Sequence, residues 1–203
     1  MRKQQTIGTW RGVSIEAVAW DSVMANVDLS FACMFTHEMN AGLTGGLRHL
    51  DEAMAGKLTR LRREGFFRGD LLETLLVDRP PAAIAARAVM VIGMGEPLVW
   101  TTAVSARTAA AAVRTAVQRC AASAAFAPSL LDAGLTSKST ECAACGMMIA
   151  VMDAIDAHVH VSSLELAPEL PLRRWVFDVG EAHFDEVARQ FDEAFASHQD
   201  AAP

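Results

Sequence analysis

The chain has 203 residues, of which 52% are hydrophobic and 21% are charged, and its formal net charge is -6 at pH 7. This length suffices for one well-filled core, because a domain of this size buries roughly 70% of the surface of its unfolded chain. The acidic balance disfavours nonspecific nucleic-acid binding, which needs a basic surface. We therefore expect a single domain over residues 1–203, with loose termini at 1–10 and 197–203.

The N-terminal residues do not resemble a targeting segment, because polar Gln4, Gln5 and Thr6 stand where a signal peptide has its apolar run. The longest uncharged run, residues 120–131, is shorter than the roughly 20 residues that cross a bilayer. The cysteines are scattered through apolar segments, which suits buried thiols in a reducing compartment: Cys33, Cys120, Cys142 and Cys145. We expect a cytoplasmic protein without a membrane segment.

The first elements in chain order are two strands and a helix. Apolar residues alternate with polar ones at residues 13–20 and predominate at 27–35, which predicts two strands joined by a turn at 21–26. Apolar residues three or four apart then predict a helix at 47–63. Gly65 can take the left-handed conformation that ends this helix.

The middle of the chain continues the alternation. Strands are predicted at residues 71–77 and 88–92, and the second is a continuous apolar run typical of a strand buried on both faces. An alanine-rich segment predicts a helix at 99–122, because alanine and arginine have high helix propensity. A short strand at 123–131 and a polar loop at 136–140 follow.

The last third predicts a buried helix at residues 140–157, an edge strand at 158–166 and a strand at 175–179. A final helix has an apolar stripe made of Phe184, Val187, Phe191 and Phe195. Such alternation of strands and helices favours an α/β fold with helices on both sides of a largely parallel sheet.

A set of glycine and leucine spacings runs from residue 45 to residue 95. It comprises Gly45-Gly46-Leu47, Leu50-Asp51-Glu52-Ala53, Gly56, Leu58-Thr59, Leu61, Gly65-Phe66, Arg68-Gly69 and Val89-Met-Val-Ile-Gly-Met-Gly95. This set resembles the N-terminal domain of the M17 leucyl aminopeptidases. The resemblance implies a macrodomain-like fold, which is a three-layer α/β/α sandwich around a mixed, largely parallel sheet.

The resemblance also implies that the peptidase chemistry lies elsewhere. In that family a separate C-terminal domain holds two metal ions with a lysine and several carboxylates, some from an Asn-Thr-Asp-Ala-Glu-Gly-Arg motif. This chain has only Lys3, Lys57 and Lys138 and no such acidic cluster. Because a two-metal site needs converging anionic oxygens, we expect no catalytic residue, no metal and no resident cofactor.

Gly93 and Gly95 are the candidate cofactor-binding residues. They lie between a buried strand and a helix, where open α/β folds bind phosphates. The third glycine of a G-x-G-x-x-G fingerprint would fall at Leu98, however, and Pro97 lacks an N–H. Tight turning of the backbone is the competing explanation for both glycines.

Two further pairs have metal-ligand spacing. Cys142 and Cys145 would put both sulfurs on one helix face, as in redox pairs or half of a zinc site, yet a second pair of ligands is missing and buried packing explains them. His158 and His160 would share one face of a strand, and with Asp153 or Asp156 they could bind a transition metal. Exposed edge histidines without a ligand are the more common case.

The only basic cluster consists of Arg60, Arg62, Arg63 and Arg68. It matches the negative end of the predicted helix at residues 47–63, and no aromatic stacking pattern accompanies it. Nucleic acid is therefore a disfavoured partner.

These observations leave three hypotheses about function. The first is a stand-alone non-catalytic domain that acts by oligomerisation or by docking onto a partner protein. The second is a small-ligand or nucleotide-binding macrodomain-like module. The third is a regulatory or split-enzyme component of a cytosolic metalloaminopeptidase.

Overall fold

A mixed sheet forms the middle layer of the protein. The computed structural model describes residues 3–37, 43, 45–128 and 142–201. Its strands are β1 (Gln4–Trp10), β2 (Val13–Val18), β3 (Leu29–Met34), β4 (Thr74–Val77), β5 (Ala88–Gly93), β6 (Ser123–Ala127) and β7 (Arg174–Asp178). Their order in the sheet is β1-β2-β7-β6-β3-β5-β4. The five inner strands are parallel to one another, and β1 and β4 are antiparallel edge strands.

Helices cover both faces of this sheet. They are α1 (Gly45–Ala53), α2 (Lys57–Arg63), α3 (Thr102–Gln118), α4 (Ala143–Ser163) and α5 (Phe184–Ala201). One apolar cluster joins α3, α4 and α5 to the sheet, and a second joins α1 and α2 to the opposite face. The predicted α/β/α sandwich with a mixed, largely parallel sheet is therefore confirmed.

Strand β3 illustrates how the sequence fills two cores at once. Phe31 and Cys33 lie in the cluster with α3, α4 and α5, whereas Ala32 and Met34 lie in the cluster with α1 and α2. Successive side chains point to opposite faces of a strand, so a strand covered on both sides is apolar at nearly every position, Ser30 being the polar residue of β3. All six residues of β3 are buried accordingly.

The predictions for both termini were wrong. Residues 4–10 form β1, which pairs along β2 from Gln4 opposite Val18 to Trp10 opposite Val13. Only Trp10 of this strand is buried, so its apolar signal is weak. At the other end α5 continues to Ala201, beyond the expected start of a loose terminus at residue 197.

Two interior predictions also need correction. The helix expected at residues 47–63 is broken into α1 and α2, because Ala55 and Gly56 both take positive φ angles of 56° and 74°. The Asp51 carboxylate accepts hydrogen bonds from the backbone N–H groups of Leu58 (2.9 Å) and Thr59 (3.1 Å) and so caps the start of α2.

The edge strand expected at residues 158–166 is absent, because α4 continues to Ser163. This helix packs against α3 and α5 and buries Met147, Met148, Val151 and Ile155. By length and composition alone it could also cross a membrane. In this fold its apolar side chains pack as those of a core helix do, and this packing accounts for its apolar composition.

The remaining boundaries differ by a few residues. The helix expected at 99–122 is α3, and the residues before it form a short 3-10 helix, Pro97–Val99. The loop expected at 136–140 lies outside the described residues, as does the end of the strand expected at 123–131.

The last residue of β5 meets a neighbouring loop at very close range. A Cβ on Gly93 would lie 1.9 Å from the carbonyl oxygen of Asp70 and 2.5 Å from the carbonyl carbon of Gly69. Both obstacles are backbone atoms, which cannot swing away. Only glycine fits at this position.

We expect Gly93→Ala to lower the free energy of unfolding by about 3 kcal/mol, since the new methyl must displace backbone. The matched control is Gly146→Ala on α4, where the new Cβ would be 3.7 Å from that of Ala106. This control should raise stability by about 0.5–1 kcal/mol through helix propensity. Urea unfolding monitored by circular dichroism measures both, and equal effects would contradict the close packing at Gly93.

Strands β2 and β7 are joined by a side-chain ion pair as well as by their backbones. Arg174 donates to both carboxylate oxygens of Glu16, over 2.9 and 2.8 Å. This hydrogen-bonded pairing holds the pKa of Glu16 below its ordinary value near 4.5, against the opposing effect of burial. It also raises the pKa of Arg174.

Because the pKa of Glu16 is lower in the folded state, its contribution to stability is present above the unfolded pKa and is lost as pH falls through the folded value. We expect Glu16→Gln to cost about 1 kcal/mol at neutral pH, given partial solvent screening, and the difference from wild type to shrink below pH 4.5. Urea unfolding from pH 3 to pH 7 measures this, with Glu181→Gln on the exposed surface as control. A difference independent of pH would contradict the role of the pair.

Candidate functional site

An open crevice lies at the carboxyl edge of β3 and β5. Its volume is about 530 Å³, and it is lined by Thr36, His37, Arg62, Arg63, Gly65, Arg68, Asp70 and Glu96. We call this depression, with the residues that line it, the crevice. The carboxyl ends of parallel strands are where open α/β sheets bind ligands, because the following loops diverge there. The topology therefore makes this edge the first candidate for a binding site.

Arg62 forms the floor of the crevice and is only 3% exposed. Its guanidinium donates to the carbonyl oxygens of Phe35 (3.3 Å), Thr36 (3.1 Å) and Arg68 (3.3 Å). One side chain thus ties the loop after β3 to the segment after α2. The sequence analysis grouped Arg62 with the basic cluster at the negative end of the predicted helix, and the structure gives it these internal hydrogen bonds.

The other arginines of the cluster differ from Arg62. Arg60 is exposed and pairs with Glu64 over 2.7 Å, one helical turn away. Arg63 and Arg68 are exposed in the crevice, and their guanidinium groups have no hydrogen-bond or ion-pair partner among the described residues. With Asp70 and Glu96 on the same walls, the crevice carries both signs of charge.

The loop that carries Arg68 is held rigidly from below. One carboxylate oxygen of Glu73 accepts hydrogen bonds from three successive backbone N–H groups, those of Arg68 (2.8 Å), Gly69 (2.8 Å) and Asp70 (3.1 Å). Such a row of N–H groups forms a concave anion site, and here a side chain of the protein itself fills it. Arg68 and Asp70 are consequently presented on a fixed backbone.

Gly93 and Gly95, the predicted cofactor-binding residues, border this loop. The Gly93 N–H donates to the carbonyl of Glu73 over 2.7 Å, and the Gly95 N–H donates to the carbonyl of Gly69 over 2.9 Å. A phosphate could use neither N–H without breaking these bonds. Gly95 also has a φ of +74°, which glycine adopts at low cost. Both glycines pack the loop against β5, and ligand binding by them stays a prediction.

His37 lies at the mouth of the crevice. Its Nδ1 atom is buried and has no hydrogen-bond partner among the described residues. The ring contacts Phe35 at a centroid distance of 6.0 Å.

The histidine pair predicted from the sequence does not converge. His158 and His160 lie on α4, where a separation of two residues points side chains to opposite sides instead of one strand face. His158 Nε2 is 3.1 Å from the carbonyl oxygen of Pro168. The Asp156 carboxylate accepts hydrogen bonds from Trp10 Nε1 (3.0 Å) and Arg11 Nε (2.8 Å). Across the described ranges no three potential metal-ligating side chains come together.

The cysteine predictions were partly wrong. Cys33 is buried as expected, but Cys120 and Cys142 are exposed. Cys142 immediately precedes α4, and Cys145 is the third residue of that helix. The C-x-x-C spacing is therefore at a helix start and not inside the core.

Several crevice residues were not identified from the sequence. Thr36, Asp70 and Glu96 lie in three loops that are far apart along the chain, and none belongs to a recognisable motif. Their position in the sequence could have indicated them, because Thr36 and Glu96 follow the predicted strands at residues 27–35 and 88–92. Loops that follow parallel strands meet at one edge.

Comparison with known proteins agrees with this geometry. Residues 34–150 match the cytosol aminopeptidase family, N-terminal domain. A mutant of tomato leucine aminopeptidase superposes with a TM-score of 0.65 and 18% identity, over 93% of this chain and 36% of that chain. The chain thus spans about a third of the length of that enzyme. No curated protein matches it.

Macrodomains have the same fold. The Oceanobacillus iheyensis macrodomain with ADP superposes with a TM-score of 0.62 and 12% identity, over 100% of both chains. The Trypanosoma brucei macrodomain in complex with ADP-ribose gives a TM-score of 0.66 and 12% identity, over 94% of this chain and 74% of that one. Since the family match covers more than half of the sequence, the chain belongs to the cytosol aminopeptidase family as its macrodomain-like N-terminal domain.

Proposed function

We propose that this chain is a non-catalytic, cytoplasmic domain that docks onto a partner protein at the edge of the sheet that carries the crevice. The observation behind this proposal is a group of exposed apolar side chains, which we call the rim. It consists of Leu98 (96% exposed), Val99 (75%), Phe66 (71%) and Leu71 (43%). Phe66 and Leu71 are the chain neighbours of the crevice residues Gly65 and Asp70, and the other two follow Glu96 by two and three residues.

The rim residues are held in fixed backbone. Leu98 and Val99 belong to the 3-10 helix Pro97–Val99, which is closed by a hydrogen bond from the Trp100 N–H to the Pro97 carbonyl. The Phe66 N–H donates to the Leu61 carbonyl over 3.0 Å, and the Leu72 N–H, next to Leu71, donates to the Gly93 carbonyl over 2.9 Å. Side chains on ordered backbone lose less entropy on binding, and burying a leucine contributes about 1.5–3 kcal/mol. Two or three such residues can anchor an interface.

The partner that fits best is the catalytic part of a cytosol aminopeptidase, which this domain would serve as a regulatory or split component. Family membership supports this choice. A second copy of the chain is the competing occupant, but a net charge of -6 on each copy opposes self-association.

We expect Leu98→Asp to weaken binding to a purified cytosol aminopeptidase catalytic domain by about tenfold or more, because the charge would have to be desolvated in the interface. The matched control is Leu166→Asp, which alters another exposed leucine (75%) after the end of α4. Isothermal titration calorimetry measures both. Light scattering after size-exclusion chromatography tests self-association, and a monomer that binds no catalytic domain would refute the proposal.

A small anionic ligand in the crevice is the second candidate function. The observation that favours it is the pair of exposed guanidinium groups of Arg63 and Arg68, next to the buried Nδ1 of His37. Guanidinium groups bind phosphates and carboxylates through paired hydrogen bonds. Macrodomains have been solved with ADP and with ADP-ribose, which makes these molecules the first probes.

We expect saturating ADP-ribose or ADP to raise the melting temperature by about 5–10 °C, which corresponds to about 2.7 kcal/mol at 100 times the dissociation constant. Arg68→Ala should abolish the shift. Arg60→Ala should preserve it, because Arg60 pairs with Glu64 outside the crevice. Unchanged melting of the wild-type chain with ADP-ribose, ADP and free amino acids would exclude this candidate.

A further inference from the structure

The start of α4 brings two cysteines together in an arrangement that the proposed function does not use. Cys142 is the residue before the helix, with φ of 66° and ψ of 1°, and Cys145 is the third helical residue. The Cys142 carbonyl accepts a helical hydrogen bond from the Gly146 N–H (3.0 Å), so Cys142 belongs to the first turn of α4. Helix geometry places Cα atoms three residues apart about 5 Å from each other. A disulfide needs Cα atoms about 4.4–6.8 Å apart, so this spacing can be bridged.

The two thiols differ in environment. Cys142 is exposed, whereas Cys145 is half-buried and its Sγ is 3.9 Å from the carbonyl oxygen of Gln190 on α5. Burial raises the pKa of the Cys145 thiol, and the negative charges of Cys142 and Glu193 raise it further. Cys142 is therefore the thiol that a reagent meets first.

Alternative roles for the pair are weaker. A zinc site would need further ligands, and no group of three His, Cys, Asp or Glu side chains occurs in the part of the chain that the structure describes. A purely packing role does not explain why Cys142 is exposed and keeps a positive φ, which is costly for a residue other than glycine.

We propose that Cys142 and Cys145 form a reversible dithiol–disulfide pair that exchanges with small-molecule disulfides such as oxidised glutathione. The Cys142 thiolate attacks one sulfur of the reagent, the reagent's S–S bond breaks, and one glutathione thiolate leaves. The Cys145 thiol gives its proton to solvent and attacks the Cys142 sulfur, which releases the second glutathione thiolate. The reagent is reduced to two thiols, and the protein is oxidised to one disulfide.

The structural consequence lies at the contact between α4 and α5. Bridging draws the Cys145 sulfur toward Cys142 and away from the Gln190 carbonyl. The first turn of α4 would then be fixed to the residue before the helix instead of to α5. A C-x-x-C pair in a reducing compartment is typical of redox chemistry rather than of a structural staple.

The test uses the full chain carrying Cys120→Ser, which removes the other exposed thiol while Cys33 stays buried. This protein is equilibrated with buffers of varied ratio of reduced to oxidised glutathione, quenched with an alkylating agent and analysed by peptide mass spectrometry. We expect Cys142 and Cys145 to become protected from alkylation together, with a loss of two hydrogens and no retained glutathione.

Variants assign the roles of the two sulfurs. With Cys145→Ser added, a glutathione adduct should persist on Cys142, and with Cys142→Ser added, reaction should slow by about tenfold or more. Circular dichroism checks that each variant is folded. If a variant does not fold, the result for the Cys120→Ser protein alone tests the proposal. A stable adduct on Cys142 of the parent, or full alkylation of both cysteines in every buffer, would overturn the proposal.

Discussion

Parallel pairing of the five inner strands is the constraint from which the rest of the structure follows. Parallel strands cannot be joined by tight turns, so their connections cross a face of the sheet, and those that follow β3, β5 and β6 carry α-helices. Both faces are thereby covered, and the strands between them must be apolar on both sides, as β3 and β5 are. The same arrangement sends the chain out at one edge after every inner strand. The crevice lies at that edge for topological reasons, before any particular side chain is considered.

The side chains then determine the shape and the charge of the crevice at this edge. Gly93 lets the loop at residues 69–70 approach β5 at a distance that no other residue allows, and Glu73 fixes the same loop through three N–H groups. Arg62 ties the opposite wall together from inside. The side chains of Arg62 and Glu73 therefore bond to the backbone of the crevice walls. The exposed side chains of Arg63 and Arg68 remain available for a ligand or a partner.

The sequence predicted the inner strands and the edge strand β4, but it missed the edge strand β1 and the second half of α4. Continuous apolar runs identified β3 and β5, and the resemblance to the aminopeptidase domain supplied the sandwich. Strand β1 was not predicted, because an edge strand with a single buried residue has little apolar pattern. The second half of α4 was mistaken for a strand, since His158 and His160 suggest a period of two while the helix is determined by packing on α3 and α5. The crevice could be located only by topology, because its residues come from separate loops and Arg62 looks in sequence like its exposed neighbours.

The position of the rim around the crevice links the two proposed functions. If the proposed partner covered the crevice together with Leu98 and Leu71, it would also remove water from Arg63 and Arg68. Burying a guanidinium group without a partner is costly, so such an interface must supply anionic groups or enclose an anionic ligand. Asp70 and Glu96 reduce this cost only in part, because they share the same walls with three arginines. Any ligand that neutralises the arginines would consequently favour docking, and by thermodynamic reciprocity docking would favour the ligand to the same extent.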